Sequence, residues 1–317
     1  VQNILVIKLS ALGDFILSIG SMQAIRAHHK NARITLLTTP PFEALARGLG
    51  CFDEIWLDSR PAPWKVASWL NLARKLRAAR FDRVYDLQRS GRTGWYFRLA
   101  GRPEWVGKVR GCAHRFEPVW AKERHIIEWE REQLARVGIA PVLPPDLSGL
   151  TSDPNRFGLP GSYALLVPGS APHRPGKRWP AASYAALARR LAARGILPVL
   201  IGGKTERAEM QIIVEACPEA RDLGGQTDLF DIAGLARGAT VAVGNDTGPT
   251  HVIAAAGCPV VALFSEDSDP VRSRPPWPAV EVLRAPKLAD LSVERVEAAV
   301  ESALRLADTA ANRHLSG

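Results

Sequence analysis

Cysteine is scarce in this sequence: 317 residues contain four, Cys51, Cys112, Cys217 and Cys258. None stands in a Cys-x-x-Cys or Cys/His spacing, so neither a disulfide framework nor a structural zinc site organises the chain, and the thiols are expected to be reduced. No apolar run approaches the ~20 residues needed to cross a bilayer. The opening apolar stretch, Ile4 to Ile7, is cut short by Lys8 and Asp14, which does not fit a secretory leader. A cytoplasmic protein that touches a membrane at most is expected. No G-x-x-x-x-G-K-[ST] pattern occurs, which argues against a P-loop ATPase. No G-x-G-x-x-G follows the first apolar run, which argues against a dinucleotide dehydrogenase.

What is present is ordinary in bulk and uneven in distribution. Apolar residues make up 46% and charged residues 23%, so a packed core is expected and wholesale disorder is not. The length is that of about two domains. The net charge of +9 lies entirely in one half: residues 1–150 hold 23 Lys and Arg against 14 Asp and Glu, and residues 151–317 hold 18 against 18. A basic half attracts nucleic acid, anionic lipid or an acidic substrate through the same long-range field.

In the first half, strand-like and helical segments alternate. "NILVIKL", "ARITLLTT", "EIWLD" and "DRVYDLQ" read as strands, separated by helices over "FILSIGSMQAIRAHH", "FEALARGL" and "WKVASWLNLARKLRAA". Such alternation predicts a parallel sheet with helices on both faces. Residues 87–120, rich in Gly, Arg and Trp, read as irregular. A helix over "ERHIIEWEREQLARVG" follows and ends at Gly138. The Pro- and Gly-rich segment from Ile139 to Ser162 reads as a linker, giving domains of 1–150 and 151–317. The second half repeats the alternation and closes on a long amphipathic helix, "SVERVEAAVESALRLADTA", which is free to return to the N-terminal domain. Two doubly wound domains then face each other across a cleft, with ligands at the carboxyl ends of the strands.

Three loops of the second half carry the chemistry. In "GNDTGPTHVIAAAG" (Gly244–Gly257) a strand ends in Asn-Asp, and Thr247, Gly248 and Pro249 begin a helix. A helix start offers free N–H groups and a partial positive charge to a phosphate. Gly248 allows close backbone approach, and Thr247 and His251 add side-chain donors. "PGSAPHRPGKRWP" gathers His173, Arg174, Lys177 and Arg178 at another strand end, which suits a diphosphate. In "IGGKTERAE", Glu206 either accepts from ribose hydroxyls or simply complements the following helix. In the first half, "SALGDF" places Asp14 where the first strand turns into a helix. A carboxylate there either caps that helix or takes a proton from an acceptor hydroxyl. "DSD" at 267–269 has the outline of a metal-binding Asp-x-Asp, but fixed cations already supply what a metal would.

Together these stretches resemble the ADP-heptose:lipopolysaccharide heptosyltransferases, glycosyltransferase family 9, over nearly the whole chain, with "GNDTGPTHVIAAAGCPVVALF" the most specific piece. The resemblance implies a GT-B fold of two Rossmann-like domains. It implies inverting transfer of a heptose from ADP-heptose to the inner core of lipopolysaccharide, with no essential metal or cofactor, since the ADP-sugar is a co-substrate. It implies Asp14 as base; Ser170, Lys177, Glu206, Asp246, Thr247, Gly248 and His251 on the donor; and Ser10, Gly13, Arg89 and Arg92 on the acceptor. That acceptor is an acidic glycolipid, lipid A with inner-core sugars, at an anionic membrane surface, and nucleic acid is not a partner. The basic residues of the first half, with Trp64, Trp69, Trp95 and Trp105, then face lipid or sugar. Two departures bear on the donor sugar and the first helix: Ser265-Glu266-Asp267 stands where the family often has Gly and Thr, and Gly20 where it has Pro. A non-catalytic binding protein of the same fold, or a transferase using another nucleotide-sugar, are the alternatives.

Overall fold

The first strand, β1 (Asn3–Ile7), shows no alternation of buried and exposed positions: Ile4, Leu5, Val6 and Ile7 are all fully buried. A parallel strand covered by helices on both faces reads this way. The computed structural model describes the chain apart from residues 63, 120–122, 172, 316 and 317, and for 310–315 the backbone alone. It divides into two compact units, Val1–Gly149 and Leu150–Gly317.

In the N-terminal unit β1 leads through α1 (Leu12–His28) to β2 (Arg33–Thr38), and through α2 (Glu43–Gly48) to β3 (Glu54–Leu57). The chain then crosses back through α3 (Val66–Ala79) to β4 (Arg83–Asp86) on the other side of β1. It continues through α4 (Gly91–Leu99), β5 (Glu104–Gly107), β6 (His114–Arg115) and α5 (Ile126–Ala135). The sheet order is β3-β2-β1-β4-β5-β6, parallel throughout. Its winding reverses between β1 and β4, and at such a switch point the loops diverge and leave a crevice. One core cluster joins Leu5, Ile7 and Val84 of the sheet to Leu76, Tyr96, Phe97 and Trp105.

The region over 87–120, expected to be irregular, instead contains α4, β5 and β6. Its buried apolar positions are few, among them Tyr96, Phe97, Trp105 and Val106, and the Arg and Gly residues between them hid the pattern. Trp105 is therefore a core residue, stacked edge-on against Phe97 at 5.4 Å, and not a lipid- or sugar-facing one. The connecting segment holds to the N-terminal unit through Ile139, Val142 and Leu147, all buried. Gly20 is explained here. A Cβ at that position would run into the Leu143 carbonyl, so glycine lets the connecting segment lie on α1.

The C-terminal unit repeats the winding. It runs β7 (Tyr163–Val167), α6 (Ala181–Ala193), β8 (Leu197–Leu200), α7 (Arg207–Ala216), β9 (Arg221–Asp222) and α8 (Leu229–Gly238). It then continues through β10 (Val241–Asn245), α9 (Gly248–Ala255), β11 (Val260–Phe264), α10 (Pro270–Ser273), β12 (Val280–Arg284) and α11 (Val293–Leu315). The order β12-β11-β10-β7-β8-β9 is the N-terminal order again, reversing between β7 and β10. The final helix packs on β10, β11, β12 and α6 of its own unit, burying Val296, Val300 and Ala303. Its outward glutamates pair with α6: Arg190 with Glu297 at 2.7 Å and Arg194 with Glu301 at 2.5 Å.

Candidate active site

Each switch point is flanked by the loop after the unit's first strand and the loop after its fourth. In the N-terminal unit these carry Ser10, Gly13 and Asp14 on one side and Gln88 and Arg89 on the other. Asp14 lies in the first turn of α1, half-buried. No side chain caps that helix, so the capping role expected as one alternative is not what Asp14 performs. Among the described residues its carboxylate accepts no hydrogen bond, and Lys8 is a charge it acts on.

The loop that presents Asp14 is held by side chains from three other segments. The Gln88 Oε1 accepts from the backbone N–H of Leu9 at 2.6 Å and of Ser10 at 3.0 Å. Thr39 Oγ1 and Arg60 both donate to the Leu9 carbonyl, at 3.0 and 2.6 Å. Beneath it Lys8, 1% exposed, donates to the Leu87 carbonyl at 3.1 Å and faces Glu130 of α5 at 3.6 Å. Glu130, also wholly buried, accepts from Ser18 at 2.6 Å and Ser21 at 2.7 Å, both on α1. Burial pulls the Lys8 ammonium below its ordinary range, against the opposing pull of Glu130 and Asp14. Buried charges persist only when paired and hydrogen-bonded, and here the pair ties β1, α1 and α5 together below Asp14. Sequence reasoning missed Gln88, Lys8 and Glu130. The available signal was a single Gln after a central strand, and a Lys one residue past an unbroken apolar run.

In the C-terminal unit the loops after β7, β8 and β10 enclose a cavity of about 370 Å³, lined by Val167, Gly169, Ser170, Ile201, Gly202, Gly203, Glu206, Thr227, Ile232 and Thr247 to Pro249 among others. Its walls are mostly apolar and its rim is the start of α9. Pro249 sits in the first turn of α9, but no side chain caps the helix. The Thr247 hydroxyl turns instead to the Asn245 carbonyl at 3.3 Å. The positive end of α9 is thus left to whatever occupies the cavity. The Lys177 ammonium bonds Asp246 at 2.7 Å, and His251 Nε2 meets the other oxygen of Asp246 at 3.3 Å. Burial alone would raise the Asp246 carboxyl; the hydrogen bonds and charges of His251 and Lys177 outweigh it and hold the group below the usual carboxylate range. His251 is buried and stands behind Asp246, so it orients that carboxylate.

Asn245 does for this unit what Gln88 does for the other. Its amide donates to the Pro168 and Gly169 carbonyls at 2.8 and 3.2 Å, and its Oδ1 accepts from Trp179 N–H at 3.1 Å. The cationic loop after β7 is thereby fixed to the end of β10. Glu206 accepts from Gly203 N–H at 2.7 Å and from the Thr205 hydroxyl at 2.6 Å, closing the β8 loop while it lines the cavity. Gly169 is obligatory there, because a Cβ would overlap the Glu206 side chain.

Other expected site residues have internal duties. The Ser170 hydroxyl donates to the Arg174 carbonyl at 3.1 Å and accepts from Arg178 at 3.3 Å. Arg178 also pairs with Glu209. Arg92 is drawn into the protein, donating to the Pro61 carbonyl at 3.0 Å, stacking on Trp69 at 4.9 Å and facing the buried Asp58 at 3.6 Å. Arg89 stacks on Trp129 at 4.8 Å, its N–H held by Asp86 at 3.1 Å. Asp269 caps the short α10 through Val271 N–H at 3.0 Å, and Asp267 packs against Gly176 of the cationic loop.

The geometry agrees with three comparisons. Residues 69–300 match the family model for glycosyltransferase family 9 (heptosyltransferase). The chain is 28% identical over 292 residues to a lipopolysaccharide heptosyltransferase 2 of Escherichia coli K12, covering 84% of each chain. It is 25% identical over 293 residues to a lipooligosaccharide heptosyltransferase 2 of Haemophilus influenzae, again covering 84% of each. The solved E. coli ADP-heptose LPS heptosyltransferase II superposes with a TM-score of 0.79 at 25% identity, over 96% of this chain and 98% of that one. The E. coli heptosyltransferase WaaC with ADP superposes with a TM-score of 0.76 at 20% identity, over 95% and 100%, a likeness of fold. Two Rossmann-like units with matching switch points, on a chain that follows solved heptosyltransferases nearly end to end, have the GT-B architecture, and the protein belongs to glycosyltransferase family 9, the heptosyltransferases.

Proposed function

We propose that the protein transfers a heptose from ADP-heptose, with inversion, to the inner core of lipopolysaccharide, an acidic glycolipid presented at an anionic membrane surface. One observation carries this reading: a cavity at the carboxyl ends of β7, β8 and β10 whose rim is an uncapped helix start beside a lysine. The apolar walls suit a nucleoside, with Glu206 beside the ribose. The N–H groups at Thr247 and Gly248 and the Lys177 ammonium suit the diphosphate, whose negative charge grows as the glycosidic bond breaks. Asp246 and His251 are positioning residues that hold Lys177. Asp14 takes the proton of the acceptor hydroxyl as that oxygen attacks the anomeric carbon from the face opposite the leaving ADP, which inverts the configuration. Its carboxylate, which accepts no hydrogen bond among the described residues, has lone pairs for that proton. Ser10 and Gly13 shape the loop beside the acceptor, and Arg89 and the exposed cations of the N-terminal unit answer its phosphates. No helix among the described residues is long and apolar enough to cross a membrane, so association with the membrane is peripheral in this reading.

The test is turnover of ADP-heptose with a purified inner-core acceptor, by wild type and by Asp14→Asn. Wild type should release ADP. The variant should lose about 10²- to 10⁴-fold in kcat, the range for a general base, while its affinity for ADP stays within about twofold. An Asp14→Asn enzyme with wild-type turnover would remove the base from the mechanism, and a wild type that turns over only another nucleotide-sugar would replace the donor.

A further inference from the structure

The outward face of α3 combines exposed cations with exposed large apolar side chains. Residues 59–81 contain six cations, Arg60, Lys65, Arg74, Lys75, Arg77 and Arg80, and no acid. All six are exposed, and none is in an ion pair among the described residues, although Arg60 also donates to the Leu9 carbonyl, Arg77 to the Leu99 carbonyl at 3.0 Å, and Lys75 lies over the Trp56 ring at 4.1 Å. Beside them stand apolar side chains that a water-facing helix has no use for: Trp64 is 79% exposed, Val66 62% and Leu70 51%. Val66, Leu70 and Arg74 recur at four-residue spacing, so they form one line along the helix. Its N-terminal half is apolar and its C-terminal half cationic. The flank of the helix beside that line faces the core, where Leu76 joins the core cluster and Ala73 is buried. The neighbouring α4 extends the same chemistry, with Trp95 58% exposed beneath the Arg98 guanidinium at 5.3 Å.

We infer that this face docks the protein on an anionic lipid bilayer, with Trp64, Val66 and Leu70 entering the headgroup boundary and Lys65, Arg74 and Arg77 meeting the anionic headgroups. Charge decides among the occupants. A second copy seated symmetrically would set an acid-free, cationic face against another like it. Anionic lipid answers both halves of the face, because Trp and Leu partition into the headgroup region while Lys and Arg keep their charged ends at the phosphates. The inference rests on the membrane-borne acceptor proposed above, and it supplies the surface that brings the enzyme to it.

The experiment is co-sedimentation of the full chain with vesicles, without donor or acceptor, so that lipid binding is read separately from turnover. Vesicles of phosphatidylglycerol and phosphatidylethanolamine should bind wild type, and vesicles of phosphatidylcholine should not. The double variant Trp64→Ser/Leu70→Ser should lower the bound fraction about tenfold or more. Arg74→Gln should lower it about fivefold, the share of one cation near an anionic surface. Ile212→Ser, which removes an exposed apolar side chain of the C-terminal unit (48% exposed), should leave it unchanged. Each variant should bind ADP as wild type does, which establishes that it is folded. Failure of wild type to bind the anionic vesicles, equal binding to phosphatidylcholine, or undiminished binding by the double variant overturns the inference, whatever the turnover assay gives. A concentration-dependent dimer abolished by Trp64→Ser/Leu70→Ser, or salt-sensitive binding to oligonucleotide in its place, reassigns the face and overturns it as well. Turnover without lipid binding sinks only this inference; lipid binding without turnover sinks only the proposed reaction.

Discussion

The helices α3 and α6 both carry a run of Leu, Ala and Arg, "SWLNLARKLRAAR" and "SYAALARRLAARG", at different places in two units with the same strand order: α3 joins the third strand of its unit to the fourth, and α6 joins the first to the second. Their surroundings differ. Arg190 of α6 and Arg194 at its end meet Glu294, Glu297 and Glu301 of α11, whereas Arg74 and Arg77 of α3 are in no ion pair among the described residues, and Arg77 donates to the Leu99 carbonyl at the end of α4 at 3.0 Å. The same contrast runs through the switch points. Below the N-terminal one lies a buried ion pair and above it a carboxylate that accepts no hydrogen bond among the described residues; the C-terminal one is a cavity with a lysine already paired. A carboxamide bolts each in place, Gln88 by accepting two N–H groups and Asn245 by donating to two carbonyls. The difference teaches that the winding fixes where a site lies, and the side chains on its loops fix which charge it handles.

That contrast can be broken at several points. The largest effect is expected from Glu130→Gln, which leaves Lys8 buried without its counter-charge. Breaking a buried pair from one side costs about 3–5 kcal/mol, and urea unfolding should show the N-terminal unit destabilised while the affinity for ADP is kept. Next comes Gln88→Met, which strands the Leu9 and Ser10 N–H groups at about 1–3 kcal/mol for each buried donor left unpaired. Gln88→Glu retains an acceptor for both, and hydrogen exchange at those two amides should be fast in the first variant and slow in the second. Equal exchange in the two would show that the carboxamide is not the bolt.

Lys177→Ala should weaken ADP binding about tenfold, on the order of 1.4 kcal/mol, with no effect on stability of the N-terminal unit. An unchanged affinity, measured calorimetrically, would assign the lysine to Asp246 alone.

The smallest effect is one of pH. Burial, with the charges of His28, Arg83 and Arg26, lowers the His29 imidazole to about 4, where it bonds the Tyr85 hydroxyl at 2.7 Å. The folded state thus prefers neutral His29, and the stability this gives is complete above the ordinary histidine range of about 6.5 and is lost as pH falls toward 4. Asp246 is depressed instead, so its contribution to the C-terminal unit persists until pH falls below the usual carboxylate range. Mild acid should therefore loosen the N-terminal unit first, and a His29→Phe variant should abolish that difference in an acid titration followed by hydrogen exchange.

Much of this was legible in the residues. Unbroken apolar runs alternating with amphipathic segments determined a parallel α/β chain of two units, because each strand must be buried on both faces. The same reasoning placed Asp14, Lys177 and Thr247 at strand ends, since chemistry-bearing residues interrupt those runs only where the strands stop. The short strands β5 and β6 were not legible, because four residues or fewer carry too little periodicity to stand out among Arg and Gly. Nor was the fate of the charges. Sequence alone counted nine surplus cations in the first half and could not say that Arg92 turns inward to Asp58, that Glu130 meets Lys8 from 122 residues away, or that Arg190 of α6 meets acids of α11 while Arg74 and Arg77 of α3 are in no ion pair among the described residues. Those pairings depend on distances of a few ångströms between segments far apart in the chain, and the Coulomb and desolvation terms that govern them exist only once the tertiary structure sets the separation and excludes the water.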